Sequence, residues 1–191
     1  MTADMVTRCS KIALTACIGL YLSLVVFDNI SDYGTNFEFV KHVMQMDTTL
    51  MAAHSTWRSI WSPTAHHIFY IFIIIWELVA SLLCWAGTLA LARRMRSQAT
   101  MFNSSKGLAI AGLVTGMLLW LCAFISIGGE WFMMWQSAQW NGQHSAQMLF
   151  EVTGVVLIYV ALPDADQCPG NDSLESHLID RVHSSEIASK V

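Results

Sequence analysis

Charge is what this sequence has least of. Asp, Glu, Lys and Arg make up 13% of its 191 residues, against ~25% in an ordinary soluble domain. No basic patch is interleaved with aromatics, which excludes nucleic acid as a partner. The five cysteines (Cys9, Cys17, Cys84, Cys122 and Cys168) form no CxxC or CxxCH. That argues against a zinc knuckle, a thioredoxin-like site and attached c-type haem. There is no HExxH, serine-centred triad, phosphate loop or nucleotide fingerprint. Gly128-Gly129 leads into Glu130-Trp131 rather than a Gly-Lys cradle. The reading therefore leans against an enzyme, and no catalytic residue is assigned.

What fills the chain instead is apolar residue, 54% of the total, with a mean hydropathy of +0.47. It is concentrated at residues 12–27, 68–91, 108–127 and 146–162. At ~1.5 Å per helical residue the longest run crosses a hydrocarbon core of ~30 Å. The first run follows Arg8 and Lys11 but continues into Asp28-Asn29-Ile30 with no small-x-small cleavage pattern. It reads as an uncleaved anchor. The expectation is an all-α membrane protein, with four transmembrane helices in one domain over residues 1–163. Links at 28–65 and 128–145 build a helical outer cap, and a polar, flexible tail follows over 164–191. In that tail Asp164, Asp166, Asp172, Glu175, Asp180 and Glu186 meet only Arg181 and Lys190.

Positive charge orients the spans. Arg8 and Lys11 precede the first, and Arg93, Arg94, Arg96 and Lys106 fill the link between the second and third. The other two links hold only Lys41 and Arg58 between them. The positive-inside rule puts both termini in the cytoplasm and the first and third links outside. No cysteine lies in those outer links, which excludes a disulfide-stapled external domain.

Five of eight tryptophans (Trp57, Trp61, Trp131, Trp135 and Trp140) lie in or beside the outer links. An aromatic belt at headgroup level accounts for them. Within the first link, Thr35 and Glu38 make a capping-box pattern before Phe37, Val40 and Met44 at helical spacing. This predicts a short helix on, or dipping into, the membrane surface. Asp47-Thr48 ends it and opens a possible second helix carrying Trp57 and Trp61. Ser62-Pro63 reads as N-cap and first residue of the second span. The third link continues the third span through Trp135, and Asn141-Gly142 turns the chain into the fourth. Gly112 and Gly116 form a GxxxG that permits close helix approach.

The single charge in the longest run is Glu77. A carboxyl at the bilayer midplane costs ~2.5–3.5 kcal/mol on insertion scales, so something must offset it. His66 lies eleven residues earlier, on nearly the same face, with Tyr70 between. His66, Tyr70 and Glu77 could form a proton path inward. Alternatively a protonated Glu77 is structural glue, hydrogen-bonded to a neighbouring helix.

A second constellation gathers Asp28, Asp32, Glu38, His42, Asp47, His54, His66, His67, Glu130 and His144 on the outer side. Metal ligation needs convergent geometry that this spacing does not supply, and no metal is assigned. His66 and His144, at similar depth, are the pair that could ligate haem; no cofactor is expected. If the first link folds over Glu130, then Asp32, Tyr33, Asn36, Arg58 and Glu130 form a polar network. Arg58 would pair with Glu130 or Asp47.

The run at residues 29–36 (NISDYGTN), the segments Phe39-Val40-Lys41-His42-Val43, Trp57-Arg58 and Trp76-Glu77, and the unusual stretch 128–143 (GGEWFMMWQSAQWNGQ) carry a resemblance. From about Lys11 to Asp164 the chain resembles a bacterial family of predicted small integral membrane proteins, a domain of unknown function. The resemblance implies a bacterial inner-membrane location and a four-helix architecture, and no activity; in that membrane the outer cap read from the links is periplasmic. The functional expectation is a non-catalytic subunit or self-associating component of a membrane complex. A proton-coupled transporter or ligand-binding protein using Glu77 and the outer cluster is the alternative, and a haem- or quinone-binding redox subunit the third. The expected partners are the bilayer and either a membrane protein or a second copy.

Overall fold

The computed structural model describes residues 3–49 and 56–165. Most of the expected tail, with His54 and Cys168, lies outside them. Among the described residues the fold is helical, with no strand. Helix α1 covers Ala3–Ser31 and α2 Tyr33–Gln45. A 3₁₀ turn at Thr56–Arg58 precedes α3, Pro63–Arg94. Helix α4 (Ala99–Ser104) leads into α5 (Gly107–Leu118), which continues as a π-helical stretch over Leu119–Trp131. A second 3₁₀ turn, Met134–Gln136, precedes α6, Gln143–Ala161.

Four helical stretches are long and apolar enough to cross a membrane: Ala3–Ser31, Pro63–Arg94, Ala99–Trp131 and Gln143–Ala161. All four expected spans are present, and each helix is longer than its apolar core. The reason is that polar residues at the ends continue the helix while leaving the hydropathy window. Helix α3 starts where expected: Ser62 Oγ accepts from the Ala65 N–H at 3.4 Å, and Pro63 occupies the first turn. It ends with Arg93 and Arg94, which complement the helix dipole.

The buried face of α3 runs His66, Tyr70, Ile74, Glu77, Ser81, Cys84, Gly87, Leu91, at steps of three and four residues. Its large apolar side chains, such as Ile68, Phe72, Ile75 and Leu82, are exposed. In a membrane this inversion is expected, because lipid solvates leucine as well as a protein core does. Polar and small residues go inward, where partners and close approach are found.

Helix α1 packs antiparallel on α3, with Arg8 beside Met95, Gly19 beside Cys84 and Ser23 beside Ser81. Helix α5 packs on another side of α3. A Cβ on Gly87 would collide with the Ala109 backbone, and one on Gly112 would come within 2.6 Å of the Cys84 nitrogen. Gly112 thus allows the close approach that the GxxxG suggests, whereas a Cβ on Gly116 would make only ordinary contact with Leu22. Helix α6 packs on α5 and the π-helical stretch and also touches α1.

The expectations for the links change in three places. Thr35 caps nothing: α2 begins earlier, after Asp32, whose side chain makes no capping bond, and Glu38 bonds Lys41 instead. Trp57 lies in a 3₁₀ turn and Trp61 in irregular chain, because Ser62-Pro63 starts a new helix immediately afterwards. The third span does not run on through Trp135. Met133, at φ 54°, breaks it after the π-helical stretch. Helix α2 crosses one end of the bundle. Its Phe37 stacks on His67 of α3 at 4.2 Å, and its Phe39 lies near Phe124 and against Gly142.

Candidate functional site

Glu77 is 2% exposed. Its Oε2 accepts from Asn29 Nδ2 at 2.7 Å. Asn29 is near the end of α1, and the four extra residues beyond the apolar run are what carry it onto α3. Tyr70 Oη donates to the same residue, at 3.1 Å to its carbonyl and 3.2 Å to Oδ1. Asn29 therefore ties two turns of α3 to α1. One level further along, Ser81 Oγ donates to the Gly19 carbonyl, Ser23 and Ser81 share a 2.8 Å hydrogen bond, and Trp85 Nε1 donates to Ser23. Trp76 Nε1 reaches the other neighbour, donating to the Thr115 carbonyl at 3.0 Å.

His66 is equally buried, but its Nε2 donates to the Ile60 carbonyl at 2.8 Å. The stripe of His66, Tyr70 and Glu77 is thus one helix face whose members bond sideways to α1 and to the segment before α3. His144, considered with His66 for haem, is exposed on α6.

At the α2 end the structure brings His42 and Asp47 into direct contact, with Nδ1 to Oδ2 at 2.6 Å. Helical spacing alone would hold them apart. Met46 makes the difference, since its left-handed backbone (φ 54°) folds the chain back at the end of α2. The other nitrogen of His42 lies 3.2 Å from Glu38, and the ring stacks on Trp140 at 4.7 Å. The hydrogen bond from Lys41 holds the Glu38 carboxyl below its usual range despite some desolvation. Asp28 accepts from Asn36 Nδ2 across the break between α1 and α2, while Asp32 is exposed at that break. His67 bonds Tyr33 Oη at 2.8 Å. Among the described residues no three His, Cys, Asp or Glu side chains converge as a metal site.

Arg58 pairs with neither Glu130 nor Asp47. Its Nη1 donates to the main-chain carbonyls of Glu130 and Trp131 at 3.4 and 3.3 Å, and its guanidinium lies over the Trp57 and Trp131 rings. The Glu130 side chain is exposed. Arg58 is drawn to the end of the π-helical stretch because the last carbonyls of a helix carry no intrahelical donors.

Sequence reasoning missed two sets of residues. Asn29 was read as following the first span. Hydropathy did not mark it, because an amide just beyond an apolar run meets a neighbouring helix only if its own helix continues on the right face. The second set is at the opposite end. The side chain of Asp164, a residue expected in the tail, is buried. Its Oδ2 accepts from Lys11 at 2.7 Å and Lys106 at 2.5 Å, and its main chain exchanges two hydrogen bonds with Asn103. Both lysines also donate to the Leu162 carbonyl at the end of α6, at 2.6 Å each. Arg8 donates to the carbonyls of Met95 and Ser97 beyond α3. Three of the cations counted for orientation, Arg8, Lys11 and Lys106, thus also bond carbonyls at helix ends.

These features define a four-span integral membrane protein. The sequence model of the family described as "Predicted small integral membrane protein (DUF2165)" matches residues 7–163. The chain belongs to that family. No match was found among curated proteins or solved structures.

Proposed function

We propose that this protein is a non-catalytic component of the bacterial inner membrane, either a small subunit of a larger membrane complex or a self-associating one. Both termini face the cytoplasm and the end carrying α2 faces the periplasm. One observation supports this reading most: the carboxyl of Glu77 is taken up by Asn29 at 2.7 Å, with Tyr70 on the same amide. An intramembrane acid is a functional candidate by default. Here its bond is between helices, which is what a structural tie requires. Arg8, Lys11, Arg93, Arg94, Arg96 and Lys106 at one end support the orientation. At the other end Trp57 and Trp61 are 72% and 62% exposed, and Arg58 is packed against Trp57. Trp and Arg are the residues that dominate protein contact surfaces.

The test is native mass analysis after mild detergent extraction from the source membrane. The expected result is a defined complex or oligomer whose mass is unchanged by Glu77→Gln. A solitary monomer, combined with Glu77-dependent proton flux in liposomes, would replace this reading with a transporter.

A further inference from the structure

A groove opens between α3 and the π-helical stretch, roofed by α2. Its volume is about 110 Å³, and its lining is almost wholly apolar. The cause lies in the backbone. The π-helical stretch packs against α6 and touches α3 only sparsely, so the two walls part above Trp76. Phe72 and Trp76 form one wall, Ala123 and Phe124 the other, with Val43 and Met44 above. The volume is comparable to cavities of ~150 Å³ that take a benzene-sized apolar group. One stretch of a single hydrocarbon chain fits.

The rim says which chain. Phe72 and Ile127 border the groove and are 55% and 47% exposed, on stretches long and apolar enough to span. The groove therefore opens sideways, towards hydrocarbon. Arg58 lies outside the lining but next to it, since its Nη1 bonds the carbonyl of Trp131, the residue before Phe132 of the groove wall. It belongs to the segment leading into α3, and its Nη1 bonds carbonyls at the end of the π-helical stretch. It thus bridges the two elements between which the groove lies. Ile60, two residues on, donates its N–H to the carbonyl of Met44 in the roof. Among the described residues no carboxylate pairs with Arg58, and its buried Nε meets no hydrogen-bond acceptor. Trp57 and Trp131 flank it, as tryptophans do at headgroup depth.

We propose that this groove binds one acyl chain of an anionic phospholipid, with the lipid phosphate held by Arg58 between Trp57 and Trp131. The charge match selects the head, since a planar guanidinium suits phosphate oxygens geometrically. The apolar walls select the chain. A zwitterionic lipid places a cationic group beside the same phosphate and binds more weakly.

The experiment uses the full chain in mild detergent. Phosphatidylglycerol and phosphatidylcholine of identical chains are titrated separately and bound lipid is counted by native mass spectrometry. One phosphatidylglycerol is expected per chain, held about 10-fold more tightly than phosphatidylcholine. Arg58→Ala removes that preference, and Arg58→Lys retains part of it. Ala123→Phe fills the groove and weakens both lipids. Because that variant could also perturb folding, quenching gives an independent reading. One equivalent of phosphatidylglycerol brominated on its chain quenches tryptophan emission, and Trp76→Phe reduces the quenched fraction. Glycerol phosphate, which lacks a chain, does not compete. Equal binding of the two lipids, an undiminished preference in Arg58→Ala, or competition by glycerol phosphate would overturn the proposal. None of these outcomes bears on the oligomer mass that tests the functional reading.

Discussion

Asn29 Nδ2 donates to Glu77 Oε2 at 2.7 Å, across the interface of α1 and α3. The amide serves two partners, since Tyr70 Oη reaches its Oδ1 at 3.2 Å. One residue thereby satisfies a carboxyl through its amide and a phenol through both its amide and its main-chain carbonyl.

Removing the Asn29 amide should be worse than replacing the Glu77 carboxyl by an amide. Asn29→Ala leaves Glu77 without its partner and Tyr70 with only the main-chain carbonyl of residue 29, and should cost about 1–2 kcal/mol. Glu77→Gln keeps an oxygen that can accept from Asn29 and should stay within about 0.5 kcal/mol of the parent. Unfolding in mixed micelles with increasing denaturing detergent measures both. Equal losses would show that the carboxyl, not the amide, organises the site.

The opposite end carries a pH-sensitive contact. Burial pushes the Asp164 carboxyl up, but hydrogen bonds and charge from Lys106 and Lys11 outweigh it and hold the group below its ordinary value. A carboxyl lowered in the folded state contributes stability that is present above its unfolded pKa of ~3.9 and lost as pH falls through the folded value. Melting curves should therefore be flat near neutrality and drop in acid. Asp164→Asn leaves two buried lysines without a counter-charge, costing about 3 kcal/mol at pH 7, and it shallows the acid drop. A variant that melts with the parent at pH 7 would contradict this role.

Two glycines should respond with opposite sign. Gly112→Ala drives a methyl to 2.6 Å from the Cys84 nitrogen and should separate α3 from α5, at a cost of about 1–3 kcal/mol. A Cβ on Gly34 of α2 meets nothing within 4 Å. Gly34→Ala should therefore stabilise by about 0.5 kcal/mol, because alanine loses less entropy in a helix. Thermal melts of the two variants side by side are sufficient; a neutral Gly112→Ala would mean the helices are not in contact there.

Orientation can be read with thiol labelling after the native cysteines are replaced by serine. Gln139 and Gln98 are both exposed, one beyond the π-helical stretch and one in the link between α3 and α4. Gln139→Cys should react with a membrane-impermeant maleimide once the outer membrane is passed. Gln98→Cys should react only after the inner membrane is opened. The reverse pattern would invert the proposed topology.

The number of spans, their rough positions and the start of α3 at Ser62-Pro63 were legible because they depend on local properties: apolar length and capping chemistry. The sequence also singled out Glu77 as the one charge in an otherwise apolar helix. Partners were not legible. In an all-apolar helix hydropathy has no preferred face, so nothing marked Asn29 as opposite Glu77, or Asp164 as the counter-charge of Lys11 and Lys106. His42 and Asp47 met because one residue, Met46, takes a left-handed conformation. Arg58 went to carbonyls rather than carboxylates because the end of a helix offered them.

By itself, then, the sequence determined that this chain lives in a bilayer and that one acid within it needs a partner, since burial in hydrocarbon is a property of each residue. Which side chain supplies that partner was decided only by tertiary structure, because an interhelical hydrogen bond depends on how far α1 extends and which face of it meets α3.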